Sequence, residues 1–177
     1  MWPKPATSQE LYSGAAAEAD IPTYTLSMDI ELLVDHSKSI PMLADWYVKE
    51  WEPYYGVSGP GDARADLEAR CNRDEIPIAF VAAEGGDVYG IAALDLDAAT
   101  GLTPAVVGLL VRPAQRGRGI ATALVESAES LAMRLGYRRL YVSTAVLGDL
   151  LVRMGWYSLG EVHFVNDEQG SIYARDF

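Results

Sequence analysis

The chain is poor in the residues that bind metals or form cross-links. Its 177 residues include one cysteine, Cys71, and two histidines, His36 and His163. A single thiol excludes an intramolecular disulfide and makes a reducing cytoplasm the expected setting. Cys71 stands among Arg70, Asn72 and Arg73 with no second cysteine nearby. That spacing, with so few histidines, argues against a His/Cys metal centre, and no metal is expected. Positive charge is scarce too, with a net charge of -11. A chain this acidic is a poor general binder of nucleic acid or anionic membranes. No apolar run approaches the ~20 residues that a membrane helix needs. The N-terminus has no unbroken apolar stretch before Glu10, so no secretory signal is expected there.

What remains is ordinary globular material. Half the residues are hydrophobic and 22% are charged. The length fits one domain that buries a sizeable core. Residues 1–25, rich in Pro, Ala and Ser, read as a tail or short arm, and residues 26–177 as the domain. Leu26–Val34 is a candidate first strand. Ile40–Tyr55 has the helical period, with Leu43, Tyr47 and Trp51 on one face and Trp46, Glu50 and Tyr54 on the next. Asp62–Arg73 is a second short helix. Ile78–Ala83 and Val88–Leu96 flank a Gly-Gly-Asp turn and read as a hairpin. Ala105–Val111 is apolar on both faces, which suits a covered central strand. An amphipathic helix over Ile120–Leu135 ends at Gly136. Then come a strand at Leu140–Thr144, a short helix at Leu147–Met154, and two strands at Trp156–Phe164 and Ser171–Phe177. The order is that of one α/β domain.

The scarce positive charge is concentrated. Between Arg112 and Arg153 lie seven arginines and only three acids. Such asymmetry suggests one anionic ligand gripped locally in a chain that otherwise repels anions. The densest part is residues 112–121, RPAQRGRGIA, between an apolar strand and a helix. A helix start leaves backbone N–H groups without intrahelical partners and carries the positive end of the dipole. Glycines let that backbone approach a phosphate, and Arg116 and Arg118 add forked donors. A phosphorylated ligand follows. A Walker loop is absent, and Gly117-x-Gly119 lacks the third glycine of a dinucleotide fingerprint.

The longer string Val111–Leu124 resembles the acetyl-CoA signature of the GNAT superfamily of acyl-CoA-dependent N-acyltransferases. The signature, [Gln/Arg]-x-x-Gly-x-[Gly/Ala], falls on Arg116, Gly119 and Ala121. Leu150–Trp156 resembles the short helix ending in Gly-aromatic of the same family. The resemblance implies a three-layer α+β fold: a mixed, mostly antiparallel sheet, helices on both faces, and a V-shaped splay between two central parallel strands. It implies acetyl-CoA as co-substrate. The strand Leu109, Leu110 and Val111 would pair with the pantetheine arm. The N–H groups of Gly117, Arg118, Gly119, Ile120, Ala121 and Thr122, with Arg116, would hold the pyrophosphate.

The implied reaction is transfer of an acetyl group to a primary amine by direct attack in a ternary complex. A lysine-type amine, with a pKa of about 10.4, must first lose a proton. Here the sequence departs from the family pattern. Leu151 stands where many relatives carry a tyrosine acid, and the strand before the signature lacks the usual glutamate. Tyr141, Ser143 and Asp95 are then the candidate acid or base residues, with Tyr157, Glu84 and Asp97 behind them. Trp46, Glu50 and Tyr54 would line the amine site beneath the first helices, with Glu84 a further substrate contact. The acceptor would be a small-molecule or peptide amine, and the protein a monomer or homodimer. The missing acid and base also fit a non-catalytic acyl-CoA-binding or sensing module. An unrelated nucleotide-phosphate binder fits less of the chain.

Overall fold

The computed structural model describes residues 28–177, and the tail assigned to residues 1–25 lies outside them. Seven strands form one sheet: β1 (Asp29–Leu32), β2 (Ile78–Glu84), β3 (Asp87–Asp95), β4 (Ala105–Val111), β5 (Arg139–Thr144), β6 (Tyr157–His163) and β7 (Gln169–Asp176). Their spatial order is β1-β2-β3-β4-β5-β7-β6. Every neighbouring pair is antiparallel except β4 and β5, which run parallel. This is the mixed, mostly antiparallel sheet that the family resemblance implies.

The helices are α1 (Ile40–Glu50), α2 (Glu52–Tyr55), α3 (Ala63–Ala69), α4 (Ile120–Arg134) and α5 (Gly148–Arg153). A 3-10 segment over Leu33–Ser39 joins β1 to α1. The single helix expected over Ile40–Tyr55 is two. The backbone breaks at Trp51 (φ -122°, ψ 49°). Pro53 is the physical reason, because its ring clashes with a helical carbonyl four residues back and it offers no N–H. Tyr54 therefore does not continue the face of Trp46 and Glu50.

The two faces of the sheet bury separate cores. On one, α4 presents Ile120, Leu124, Ala128 and Leu131, at helical spacing, to Phe80, Leu94, Val106 and Leu140. Leu151 of α5 and Trp156 close the far end of this core. Leu124, Leu140 and Leu151 are fully buried, each worth about 1.5–3 kcal/mol of burial. On the other face, α1 and α3 bring Leu43, Tyr47 and Leu67 against Val81, Ile91 and Leu110. This second core draws on β2, β3 and β4 and takes no residue from β5, β6 or β7.

The centre of the sheet is parted. β4 and β5 share one register position, Ala105↔Tyr141, beside a hydrogen bond from Tyr141 N–H to the Pro104 carbonyl (3.1 Å). Toward Val111 the strands separate, which is the splay expected above.

Candidate active site

The wider end of the gap is closed by the turn from β4 into α4. Gly117 and Gly119 both take left-handed backbone (φ +76° and +78°), and Gly119 is the residue that opens α4. No side chain caps that helix. The Ala123 N–H is bonded to the Gly119 carbonyl, while the six N–H groups from Gly117 to Thr122 have no protein acceptor among the described residues. A Cβ at either glycine would meet nothing within 4 Å. The turn is thus an open arc of donors at the positive end of a 15-residue helix.

Arg116 lies across the edge of this arc. Its Nε donates to the Val111 carbonyl (3.0 Å), and its Nη2 lies 3.5 Å from Glu50 Oε2. Arg116, expected at the phosphate, and Glu50, expected at the amine, are therefore in contact although 66 residues apart in sequence. Both side chains are about half exposed, so the pair is worth at most about 1 kcal/mol and leaves Arg116 free to swing. Arg118 is hydrogen-bonded to Gln115 at the protein surface.

Strand β4 supplies the other donors. Arg112 N–H bonds to Tyr89 O on β3, and Leu110 is paired with Ile91. Alternation then turns the backbone groups of Leu109 and Val111 toward β5, where the gap is. Gly108 interrupts the strand with φ +58°. The β3 register slips between Ile91 and Ala93, so Gly108 and Leu109 have no register partner there. An extra residue with a left-handed glycine is the mark of a β-bulge. The Tyr47 hydroxyl donates to the Gly108 carbonyl (2.7 Å) from above the sheet.

Around Tyr47 the first helices form an aromatic cluster. Its ring lies 5.0 Å from Trp51 and 5.6 Å from Tyr55, and Tyr54 meets Tyr55 edge-on at 4.7 Å. Trp46 is half-buried against this cluster and Glu50 is exposed. Tyr55 donates to Asp66 (2.8 Å). Burial pushes the Tyr47 and Tyr55 hydroxyls well above the ordinary phenol value, so both stay protonated donors. Glu84 instead accepts from Tyr89 (3.0 Å) across the β2–β3 hairpin, away from the partners of Glu50.

The candidate acid and base residues have distinct surroundings. Asp95 is ion-paired to buried Arg70 (2.9 Å). Ser143 on β5 donates to Asp97 (2.5 Å), and Asp97 also accepts from Ala99 N–H and Thr100 Oγ1. Asp97 and Arg70 are the buried charged residues of the described chain. Tyr141 is half-buried beside Arg139. Tyr157 donates to Asp176 (2.7 Å), which raises the Tyr157 pKa. The Arg139 guanidinium holds the Asp176 carboxyl below its ordinary value. Leu151 lies wholly inside the core. Among the described residues no cluster of His, Cys, Asp or Glu could hold a metal ion, and no helix is long and apolar enough to cross a membrane.

The site is thus a parted parallel strand pair, with backbone donors of β4 along one edge and an arc of N–H groups at the start of α4. The family model for acetyltransferases (GNAT) matches residues 40–160, and the chain belongs to that family. Among solved structures it is similar to an aminoglycoside 6'-N-acetyltransferase complexed with coenzyme A. That likeness has 18% identity and a TM-score of 0.67, and covers 84% of this chain and 97% of that one. The aminoglycoside 6'-N-acetyltransferase from Enterococcus faecium is similar at 18% identity, with a TM-score of 0.65 and the same coverage. A GCN5-related N-acetyltransferase from Kribbella flavida is similar at 16% identity and a TM-score of 0.64, covering 85% of this chain and 98% of that one. No curated protein sequence matches the chain at a significant level. At these identities the structural likenesses describe the fold.

Tyr47, Gly108 and Asp97 make contacts beside the candidate site that their sequence context did not suggest. Tyr47 falls on the core-facing stripe of its helix. A lone glycine within an apolar strand is, however, a signal of a bulge or a close backbone approach.

Proposed function

We propose that the chain transfers an acetyl group from acetyl-CoA to a primary amine within a ternary complex. The observation that carries this reading is the run of free N–H groups from Gly117 to Thr122 at the mouth of the β4–β5 gap. Those donors would bind the pyrophosphate, and Arg116 would leave Glu50 to join them. Leu109 and Val111 would pair with the pantetheine amides as an added strand does. The co-substrate supplies an activated acyl thioester. In the transfer a C–N bond forms, the C–S bond breaks with its electron pair leaving on sulfur as the CoA thiolate, which takes up a proton, and the amine gives up a proton.

Ser143 and Asp97 are the groups we assign to that proton. The Ser143 Oγ takes it while its own proton moves to Asp97 Oδ2, along the 2.5 Å hydrogen bond already present. Asp95 is committed to Arg70 and is a structural group in this reading. Trp46, Glu50, Trp51 and Tyr55 would border the amine. A carboxylate among aromatic rings favours a cationic acceptor. Holding amine and thioester in line supplies several kcal/mol of the barrier, so no acid at position 151 is required.

The test is initial-rate kinetics of thiol release with acetyl-CoA across a panel of primary amines and peptides. Intersecting double-reciprocal lines are expected for direct transfer, and parallel lines would contradict it. Tight acetyl-CoA binding without amine-dependent turnover would favour the sensing module, a reading to which the wholly buried Leu151 lends some support.

A further inference from the structure

The peptide joining Gly108 to Leu109 has two polar ends, and one of them is held from outside the sheet. Its carbonyl accepts the Tyr47 hydroxyl at 2.7 Å. Its N–H, on Leu109, has no register partner on β3, and β4 meets β5 only at Ala105, three residues before the bulge. A trans peptide is planar, and its C=O and N–H point in opposite directions. The pairing of Leu110 with Ile91 turns the Leu109 N–H toward β5 and the gap, and holding the carbonyl at the other end of the same rigid peptide fixes the rotation of that N–H.

Tyr47 is well built for this task. It is fully buried, wedged edge-on against Trp51. The Arg70 guanidinium lies beside its hydroxyl and is anchored in turn by Asp95. Position 108 has no room for another arrangement. A Cβ there would sit 2.3 Å from the Tyr47 hydroxyl oxygen, on backbone already at φ +58°. With the Tyr47 hydroxyl in this place, only glycine fits at position 108.

We propose that Tyr47 is a positioning residue: by gripping the Gly108 carbonyl, it aims the Leu109 N–H at the acyl carbonyl of acetyl-CoA lying in the gap. This rests on the reading of the gap as the acetyl-CoA site. A fixed donor of this kind costs no reorganisation when charge develops on the thioester oxygen. Tyr47→Phe keeps the ring and removes the grip.

The test uses the full chain and acetyl-CoA labelled with carbon-13 at the acyl carbonyl. Isotope-edited infrared spectroscopy reads the hydrogen bond to that carbonyl without any acceptor or turnover. The wild type is expected to lower the bound carbonyl frequency relative to free acetyl-CoA. In Tyr47→Phe most of that displacement is expected to vanish, while the calorimetric acetyl-CoA Kd stays within about twofold. Where turnover is measurable, kcat is expected to fall by tenfold or more at unchanged acetyl-CoA KM, in line with the roughly 10²–10³-fold loss on removing such a donor altogether. Placing 4-aminophenylalanine at position 47 restores a para donor and should recover the wild-type frequency.

An undisplaced carbonyl in the wild type would overturn the proposal, and so would a wild-type frequency in Tyr47→Phe. A Tyr47→Phe protein that no longer binds acetyl-CoA would overturn it as well, because Tyr47 would then build the site rather than aim one donor. A wild type that displaces the carbonyl but acetylates no amine leaves Tyr47's role standing and removes only the transfer reading.

Discussion

Glycines at the two ends of α4 offer a controlled test of the phosphate assignment. Gly119 opens the helix at φ +78° and Gly136 follows its end at φ +86°. An added Cβ would meet nothing within 4 Å at either position. Gly119→Ala and Gly136→Ala therefore carry the same backbone strain, about 1–2 kcal/mol. At this chain length each should lower Tm by roughly 2–8 °C. Only Gly119 lies in the arc of free N–H groups. Displacing one N–H bonded to a charged phosphate costs about 1.5–3 kcal/mol, or roughly ten- to a hundredfold in Kd. Calorimetric titration with CoA should show that loss for Gly119→Ala and unchanged affinity for Gly136→Ala. Equal CoA affinity in the two variants, at equal Tm, would refute the placement of the pyrophosphate on this turn.

Four further outcomes are expected. Asp97→Asn should lower kcat by about 10²–10⁴-fold, read by thiol release, with CoA affinity unchanged. Asp95→Asn strands the Arg70 guanidinium, whose side chain is 10% exposed, and should cost about 3–5 kcal/mol in urea unfolding; a folded but inactive variant would contradict the structural role. Leu151→Tyr forces a ring and a hydroxyl into a position of 0% exposure and should lose about 1–3 kcal/mol by thermal melt, with no gain in rate. Glu50→Gln should raise the amine KM. It should leave CoA affinity equal or slightly tighter, since its partner Arg116 is released.

The strand–turn–helix of the phosphate site was legible because all its parts are local. An apolar strand, paired glycines and an amphipathic helix lie within 30 consecutive residues, and the groups proposed to bind phosphate belong to the backbone. The parallel strand pair was legible only through the family resemblance, since no short motif encodes a crossover. Pairings over long separations were hidden. Arg116 with Glu50 and Tyr47 with Gly108 are brought together by α1 crossing β4, over separations of 66 and 61 residues. The break at Trp51 had a visible cause in Pro53, but the apolar period ran through it and outweighed the proline. Asp97 belongs to a loop, where periodicity carries no information; its burial comes from contact with Ser143 on a strand 46 residues later.

Acetyl-CoA is expected to lie in the parted sheet with its acyl group presented to an amine on the α1 side. A crystal structure with acetyl-CoA tests it most directly. The expected result is pyrophosphate on the N–H groups of Gly117 to Thr122, pantetheine bonded to Leu109 and Val111, and the acyl carbonyl within hydrogen-bond reach of the Leu109 N–H. Acetyl-CoA bound elsewhere, or a β4–β5 gap left empty at saturating ligand, would contradict it.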